Sequence, residues 1–147
     1  MENIPGELLE IDAYIGEEYL TTYTSDGLIA TTPTGSTAYS MSCGGPIISP
    51  NSKCLCITPI SPHNLTLRPL IIPDDSQIKF VINSSRKGIS LHFDSQIYPL
   101  ETPISIEISK ADIELRLIRM QNQTFFSAIR NKLMWGTNLR QRKGNDE

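Results

Sequence analysis

Apolar and polar residues alternate along most of this chain in short runs, the pattern of strands rather than of long helices. Ile104, Ile106 and Ile108 alternate with Ser105 and Glu107, and Ile78, Phe80 and Ile82 repeat the spacing. A period of two places each set on one face of a sheet whose other face is wet. Residues 8–15 and 18–24 are rich in β-branched and aromatic side chains and are broken at Gly16, which predicts a hairpin. Further strands are predicted at 27–32, 54–60, 69–72, 77–82, 88–93, 103–108 and 112–119. The stretch Asn83-Ser84-Ser85-Arg86-Lys87-Gly88 reads as a turn between two of them. Pro and Asp at 73–75, and the span from Pro99 to Pro103, mark other turns.

Two segments depart from this pattern. After the third strand, Pro33-Thr34-Gly35 signals a turn, and residues 36–43 lack Pro and Gly, which predicts about two helical turns. Thr34 or Ser36 is the expected N-cap, and Gly44-Gly45-Pro46 the stop. Phe125 to Leu133 predicts a second helix, ended by Gly136, and the charged tail from Arg140 is expected to be disordered. The expected fold is mainly β: two packed sheets, β-sandwich-like, with a short helix after the third strand and a C-terminal helix. One domain over residues 1–139 with a tail at 140–147 accommodates all of it.

Composition narrows the class. The chain has 147 residues, 39% hydrophobic and 20% charged, enough for one domain with a real core. A net charge of −3 argues against general nucleic-acid or anionic-membrane binding. Cys43, Cys54 and Cys56 are an odd set without paired-loop spacing, and read as reduced thiols in a cytoplasmic protein. Cys54-Leu55-Cys56 has no second ligand pair to complete a zinc site. No apolar run approaches the ~18 residues of a membrane span, and the first residues lack the shape of a signal peptide.

The most informative stretch runs from Asp26 to Ser40. An extended apolar segment enters a Pro/Gly turn and leaves through small and hydroxyl-bearing residues. Small side chains allow close backbone approach, and a helix start favours anions. This chemistry suits a ligand carrying phosphates or many hydroxyls. Each residue also has a plain structural reading. Asp26 before Gly27 is a turn aspartate, Thr37 and Ser42 are capping or helix-face hydroxyls, and Tyr39 belongs in a core. His63 is a loop histidine and Gln96 a strand-end glutamine. Gly44-Gly45 reads as a helix stop and close-packing device rather than a phosphate cradle, since no Walker loop is present. Arg68 pairs with a carboxylate or reaches a phosphate.

Ordered motifs tip the balance. The runs Asp26-Gly27-Leu28-Ile29, Thr32-Pro33-Thr34-Gly35-Ser36-Thr37-Ala38-Tyr39-Ser40 and Gly44-Gly45-Pro46-Ile47 resemble the C-terminal domain of NAD kinases. Ile57-Thr58-Pro59-Ile60-Ser61-Pro62-His63, Leu67-Arg68-Pro69-Leu70, Phe93-Asp94-Ser95-Gln96 and Lys132-Leu133-Met134-Trp135-Gly136 continue the resemblance in order over nearly the whole chain. Enzymes of this family phosphorylate the adenosine ribose 2′-hydroxyl of NAD, giving NADP, with ATP or, in some members, polyphosphate as donor and a divalent metal such as Mg2+.

The resemblance implies that Thr34, Thr37, Ala38, Tyr39 and Ser42 line an NAD pocket, with Ser40 and Met41 in the same run. It implies that Asp26 reaches NAD on a neighbouring subunit of a homo-oligomer, dimer or tetramer, and that Ser61, His63 and Gln96 lie near the dinucleotide. Thr24 stands where relatives often carry a basic residue, and Cys43 where alanine is usual. The family's Gly-Gly-Asp-Gly and Asn-Glu motifs, which belong to a preceding α/β domain with the general base, do not occur here. The resemblance therefore implies a fragment with no catalytic or metal-binding residues of its own, inactive without that domain. Two rivals stay open: a non-catalytic β-sandwich used for oligomer contacts, and the C-terminal domain of a related lipid kinase. The hydroxyl-rich elbow favours a polar substrate over a lipid.

Overall fold

The computed structural model describes residues 8–113, 118 and 124–136. Nine strands are present among them: β1 Leu9–Ile15, β2 Glu18–Ser25, β3 Gly27–Thr31, β4 Cys54–Ile60, β5 Leu70–Pro73, β6 Ile78–Ile82, β7 Ser90–Phe93, β8 Gln96–Pro99 and β9 Ile104–Ile108. A four-stranded sheet runs β2-β1-β6-β9 and a three-stranded sheet β3-β4-β5, while β7 and β8 form a separate hairpin. Every pairing is antiparallel.

The two larger sheets share one core. Leu9, Ile11, Ala13, Tyr23, Ile78, Phe80 and Ile82 meet Leu55, Ile57 and Ile72 there. The alternation along β6 and β9 is realised: Ile78, Phe80 and Ile82 face inward, Lys79 is exposed, and Ile104, Ile106 and Ile108 pack against the core. The β1–β2 hairpin turns at Gly16, whose φ of 60° lies in the left-handed region that glycine enters without steric cost. Its register shifts between Ala13 and Tyr14, so β2 carries one extra residue.

The predicted hairpin, the third strand and the strands at 54–60, 69–72, 77–82, 88–93 and 103–108 all appear, with ends moved by two residues at most. The strand β8 lies where Gln96 was read only as a strand end and Pro99 as a turn. Pro99 closes that strand on the outer side of a two-stranded ribbon, where a missing N–H is tolerated. Of the strand expected at 112–119 only residues 112, 113 and 118 are described, and the tail from 140 falls outside the described residues.

The helical segment after β3 differs from the expected two continuous turns. A 3-10 turn covers Thr34–Thr37, then Ala38 breaks away at φ −94° and ψ −132°, and a single α-helical turn, α1, follows over Tyr39–Ser42. Neither Thr34 nor Ser36 is a side-chain N-cap; Pro33 and Ala38 hold the cap positions without a side-chain bond. Instead Thr32 Oγ1 accepts from the Gly35 N–H at 3.3 Å.

Residues 113–147 form a second unit. Its helix α2, Phe125–Leu133, has a reciprocal cap: the Ser127 N–H donates to Thr124 Oγ1 and the Thr124 N–H to Ser127 Oγ, both at 3.1 Å. The left-handed residue that ends this helix is Met134, two positions before the expected Gly136.

Candidate functional site

β4 is covered on both faces. Leu55 and Ile57 enter the shared core, while Cys56 and Thr58 point to the opposite face of the sheet yet are fully buried. The cover over that second face is the elbow after β3. Ser40 reaches inward from α1, and its hydroxyl lies 2.9 Å from Thr58 Oγ1. Ser36, also fully buried, donates to the Pro33 carbonyl at 2.7 Å and accepts from the Ile48 N–H at 3.0 Å. Gly44 and Gly45 close the helix: their N–H groups donate to the carbonyls of Met41 (3.1 Å) and Ser40 (2.8 Å). This is the stop and close-packing role expected of the pair.

With Ser36 and Ser40 turned inward, the rest of the elbow faces out. Thr34, Thr37, Ala38, Tyr39 and Ser42 are exposed, Tyr39 by 60%, and Met41 is half-buried. The hydroxyls of Thr34, Thr37, Tyr39 and Ser42 make no hydrogen bond to any described residue. The capping reading of Thr34, Thr37 and Ser42 and the core reading of Tyr39 therefore do not describe where they lie, whereas the helix-face reading of Thr37 and Ser42 does.

A second group sits at the other end of β3. Asp26 is the exposed corner at which the chain leaves β2 for β3, so it also marks the passage between the two sheets. Its N–H donates to the Ile60 carbonyl at 3.0 Å, and the His63 N–H donates to the Thr24 carbonyl at 2.9 Å. These bonds bring Asp26, Ser61 and His63 to one rim, all three exposed. Ser61 holds φ at 45°, a left-handed conformation that costs a non-glycine residue energy and is over-represented at binding sites. β3 is five residues long, so Gly27 beside this rim and Thr31 before the elbow lie roughly 13 Å apart along the strand.

Gln96 belongs to neither group. It opens β8 on the separate hairpin, where its side-chain carbonyl accepts from the Tyr98 hydroxyl. Arg68 meets its own loop rather than a carboxylate: Nη1 donates to the carbonyls of Leu65 (2.6 Å) and Leu67 (2.8 Å). Among the described residues no three His, Cys, Asp or Glu side chains gather to hold a cation, and no helix is long and apolar enough to cross a membrane. The residue that sequence reasoning passed over is a buried one. Of the three that form the seat of the elbow, Gly45 was read as a close-packing residue and Ser36 as a cap, whereas Thr58 was given no role; its signal was a lone hydroxyl in the otherwise apolar run of β4.

Two antiparallel sheets on one core, with a polar elbow seated on the outside of the second, define a β-sandwich-like domain whose exposed chemistry is hydroxyl-rich. Residues 1–120 match the ATP-NAD kinase C-terminal domain family, and the chain belongs to it. It is similar to the NAD kinase of Flavobacterium johnsoniae, 44% identical over 133 residues, covering 90% of this chain and 45% of that protein. Similarity to the NAD kinase of Porphyromonas gingivalis is 40% over 135 residues, covering 92% and 47%. In three dimensions it is similar to yeast NADH kinase, solved in complex with NADH: TM-score 0.72, 30% identity, 94% of this chain and 43% of that one. An NAD kinase from Archaeoglobus fulgidus, solved with ATP, has the same fold at TM-score 0.65 and 22% identity, over 76% of this chain and 43% of that one. The chain thus spans under half the length of these relatives.

Proposed function

We propose that this chain is the dinucleotide-holding half of an NAD kinase, an enzyme that phosphorylates the adenosine ribose 2′-hydroxyl of NAD to give NADP. The observation that carries the reading is the set of four unengaged hydroxyls, Thr34, Thr37, Tyr39 and Ser42, displayed on an elbow whose sequence is that of the family. Phosphoryl transfer demands positioning and charge neutralisation more than covalent chemistry. In this reading the elbow supplies positioning: its hydroxyls and backbone hold one nucleoside, with Ala38 and Met41 against it and Ser40 as the anchor beneath. Polar groups that lose a ribose partner are left unpaired, which is a source of substrate choice.

Asp26, Ser61 and His63 act at a separate rim. Their place at the far end of β3 supports a role toward a dinucleotide held by a neighbouring copy in a homo-oligomer. The exposed Phe93 and Tyr98 on one face of the β7–β8 hairpin, and Ile97 on the other, offer apolar surface for such contacts. Gln96 reaches the ligand from the same hairpin. The general base, the divalent metal and the donor, ATP or polyphosphate, belong to an accompanying N-terminal domain.

Calorimetric titration of NAD into the chain, repeated with Asp26→Ala and Tyr39→Ala, tests the reading. Saturable binding weakened by Tyr39→Ala is expected, with no NADP formed from NAD and ATP or polyphosphate. Absence of binding favours a purely structural sandwich, preference for a lipid favours a lipid-kinase domain, and turnover by this chain alone overturns its assignment as the non-catalytic half.

A further inference from the structure

We propose that Thr58 and Gly45 form a socket for the Ser40 hydroxyl, which makes Thr58 a positioning residue for the elbow; the inference rests on the elbow being the dinucleotide site. Thr58 is fully buried in β4, and its hydroxyl lies 2.9 Å from Ser40 Oγ and 3.5 Å from Cys56 Sγ. Gly45 closes the other side. A Cβ placed on it would stand 2.7 Å from the Ser40 carbonyl oxygen and would also strike Ser40 Oγ. The Gly45 N–H donates to that same carbonyl at 2.8 Å. Ser40 is thereby held at both side chain and backbone, whereas no side chain caps α1.

A single helical turn is too short to hold its own orientation. Successive side chains on it are rotated by roughly 100°. Fixing Ser40 inward therefore sends Tyr39 and Ser42, three positions apart, together to the outside. Loss of the Thr58 hydroxyl leaves Ser40 buried without its partner and frees α1 to rotate or lift, which misplaces Tyr39 and Ser42 without touching the ligand.

The test uses the 147-residue chain with Thr58→Val, which removes the hydroxyl at nearly constant shape, and Thr58→Ser, which restores it. Amide hydrogen exchange reads the seating of α1 in the absence of ligand, and NAD titration by calorimetry reads its consequence. Both are run at a temperature at which melting curves show each variant folded. Thr58→Val is expected to speed exchange at Cys43 and Gly45 while β1 and β2 stay protected. It is also expected to weaken NAD binding roughly five- to tenfold. Thr58→Ser should recover both. Wild-type exchange at Cys43 and Gly45 in Thr58→Val, unchanged NAD affinity, or Thr58→Ser as impaired as Thr58→Val would each overturn the proposal. Should Thr58→Val not fold, Ser40→Ala breaks the same bond from the other side and must give the same pattern. Failure of the unsubstituted chain to bind NAD would remove the dinucleotide reading alone, since localised exchange at α1 would still establish the socket.

Discussion

The Ser40 hydroxyl lies 2.9 Å from the Thr58 hydroxyl, joining α1 to the middle of β4 across 18 positions of sequence. Both groups are out of water, at 1% and 0% exposure, so the Ser40 hydroxyl depends on Thr58 for its hydrogen bond, while Thr58 also lies within reach of Cys56 Sγ. The bond explains why β4 carries a hydroxyl amid apolar residues, and why an elbow of such short helical pieces keeps a definite place on the sheet.

Gly45→Ala should be destabilising for a steric reason. The new methyl would stand 2.7 Å from the Ser40 carbonyl oxygen, which is backbone and cannot swing aside. A loss of about 1–3 kcal/mol is expected, the usual range for overpacking a tight contact. Urea denaturation followed by circular dichroism measures it, and a wild-type midpoint would show that the loop gives way freely.

Thr37→Ala should separate binding from folding. The Thr37 side chain is exposed and its hydroxyl bonds no described residue, so stability should stay within about 0.5 kcal/mol. If that hydroxyl meets the dinucleotide, NAD affinity falls about two- to tenfold, the worth of one ordinary hydrogen bond. Equal affinity in the two proteins would take Thr37 out of the contact set.

Much of this arrangement was legible from residue order. Strands with a clear period of two, such as β6 and β9, were readable because one face of each is dry. The family motifs located the elbow and the Asp26 rim. The split at Ala38 was not legible, because residues 36–43 carry no Pro or Gly to announce it. Ser36 and Ser40, four positions apart, would share one face of a continuous helix as well, so their inward turn does not by itself account for the break. Arg68 misled for a related reason: a guanidinium before Pro69 suggests a carboxylate or phosphate, yet the nearest acceptors are the carbonyls of its own loop. β8 was hidden by Pro99, which a strand accepts only at an end or on an edge.

Asp94→Gly should raise stability. Asp94 occupies the two-residue turn between β7 and β8 with φ at 51°, a conformation that strains a side chain and suits glycine. The gain is limited because aspartate tolerates this region better than most residues and because glycine loses more entropy on folding. An increase of about 0.5 kcal/mol is expected in urea denaturation; a decrease would mean that the Asp94 carboxylate contributes to the turn more than its backbone costs.

Alkaline pH should destabilise the fold through Tyr23. This residue is 2% exposed on β2, and burial, with a smaller contribution from nearby Cys56, raises its phenol above the usual 10.0. Deprotonation is then easier in the unfolded chain than in the folded one. The stabilisation is fully present below about pH 10 and is lost as the pH climbs from there through the folded value. Cys54 acts in the same direction from its usual 9.0, raised first by burial and then by Cys56 and Asp74. Urea midpoints for the wild type and Tyr23→Phe, compared at about pH 8 and about pH 10.5, separate the two. Tyr23→Phe should lose less stability over that interval than the wild type and retain the part due to Cys54. An equal fall in both proteins would place the alkaline sensitivity elsewhere, because phenylalanine keeps the ring in the core and removes only the group that titrates.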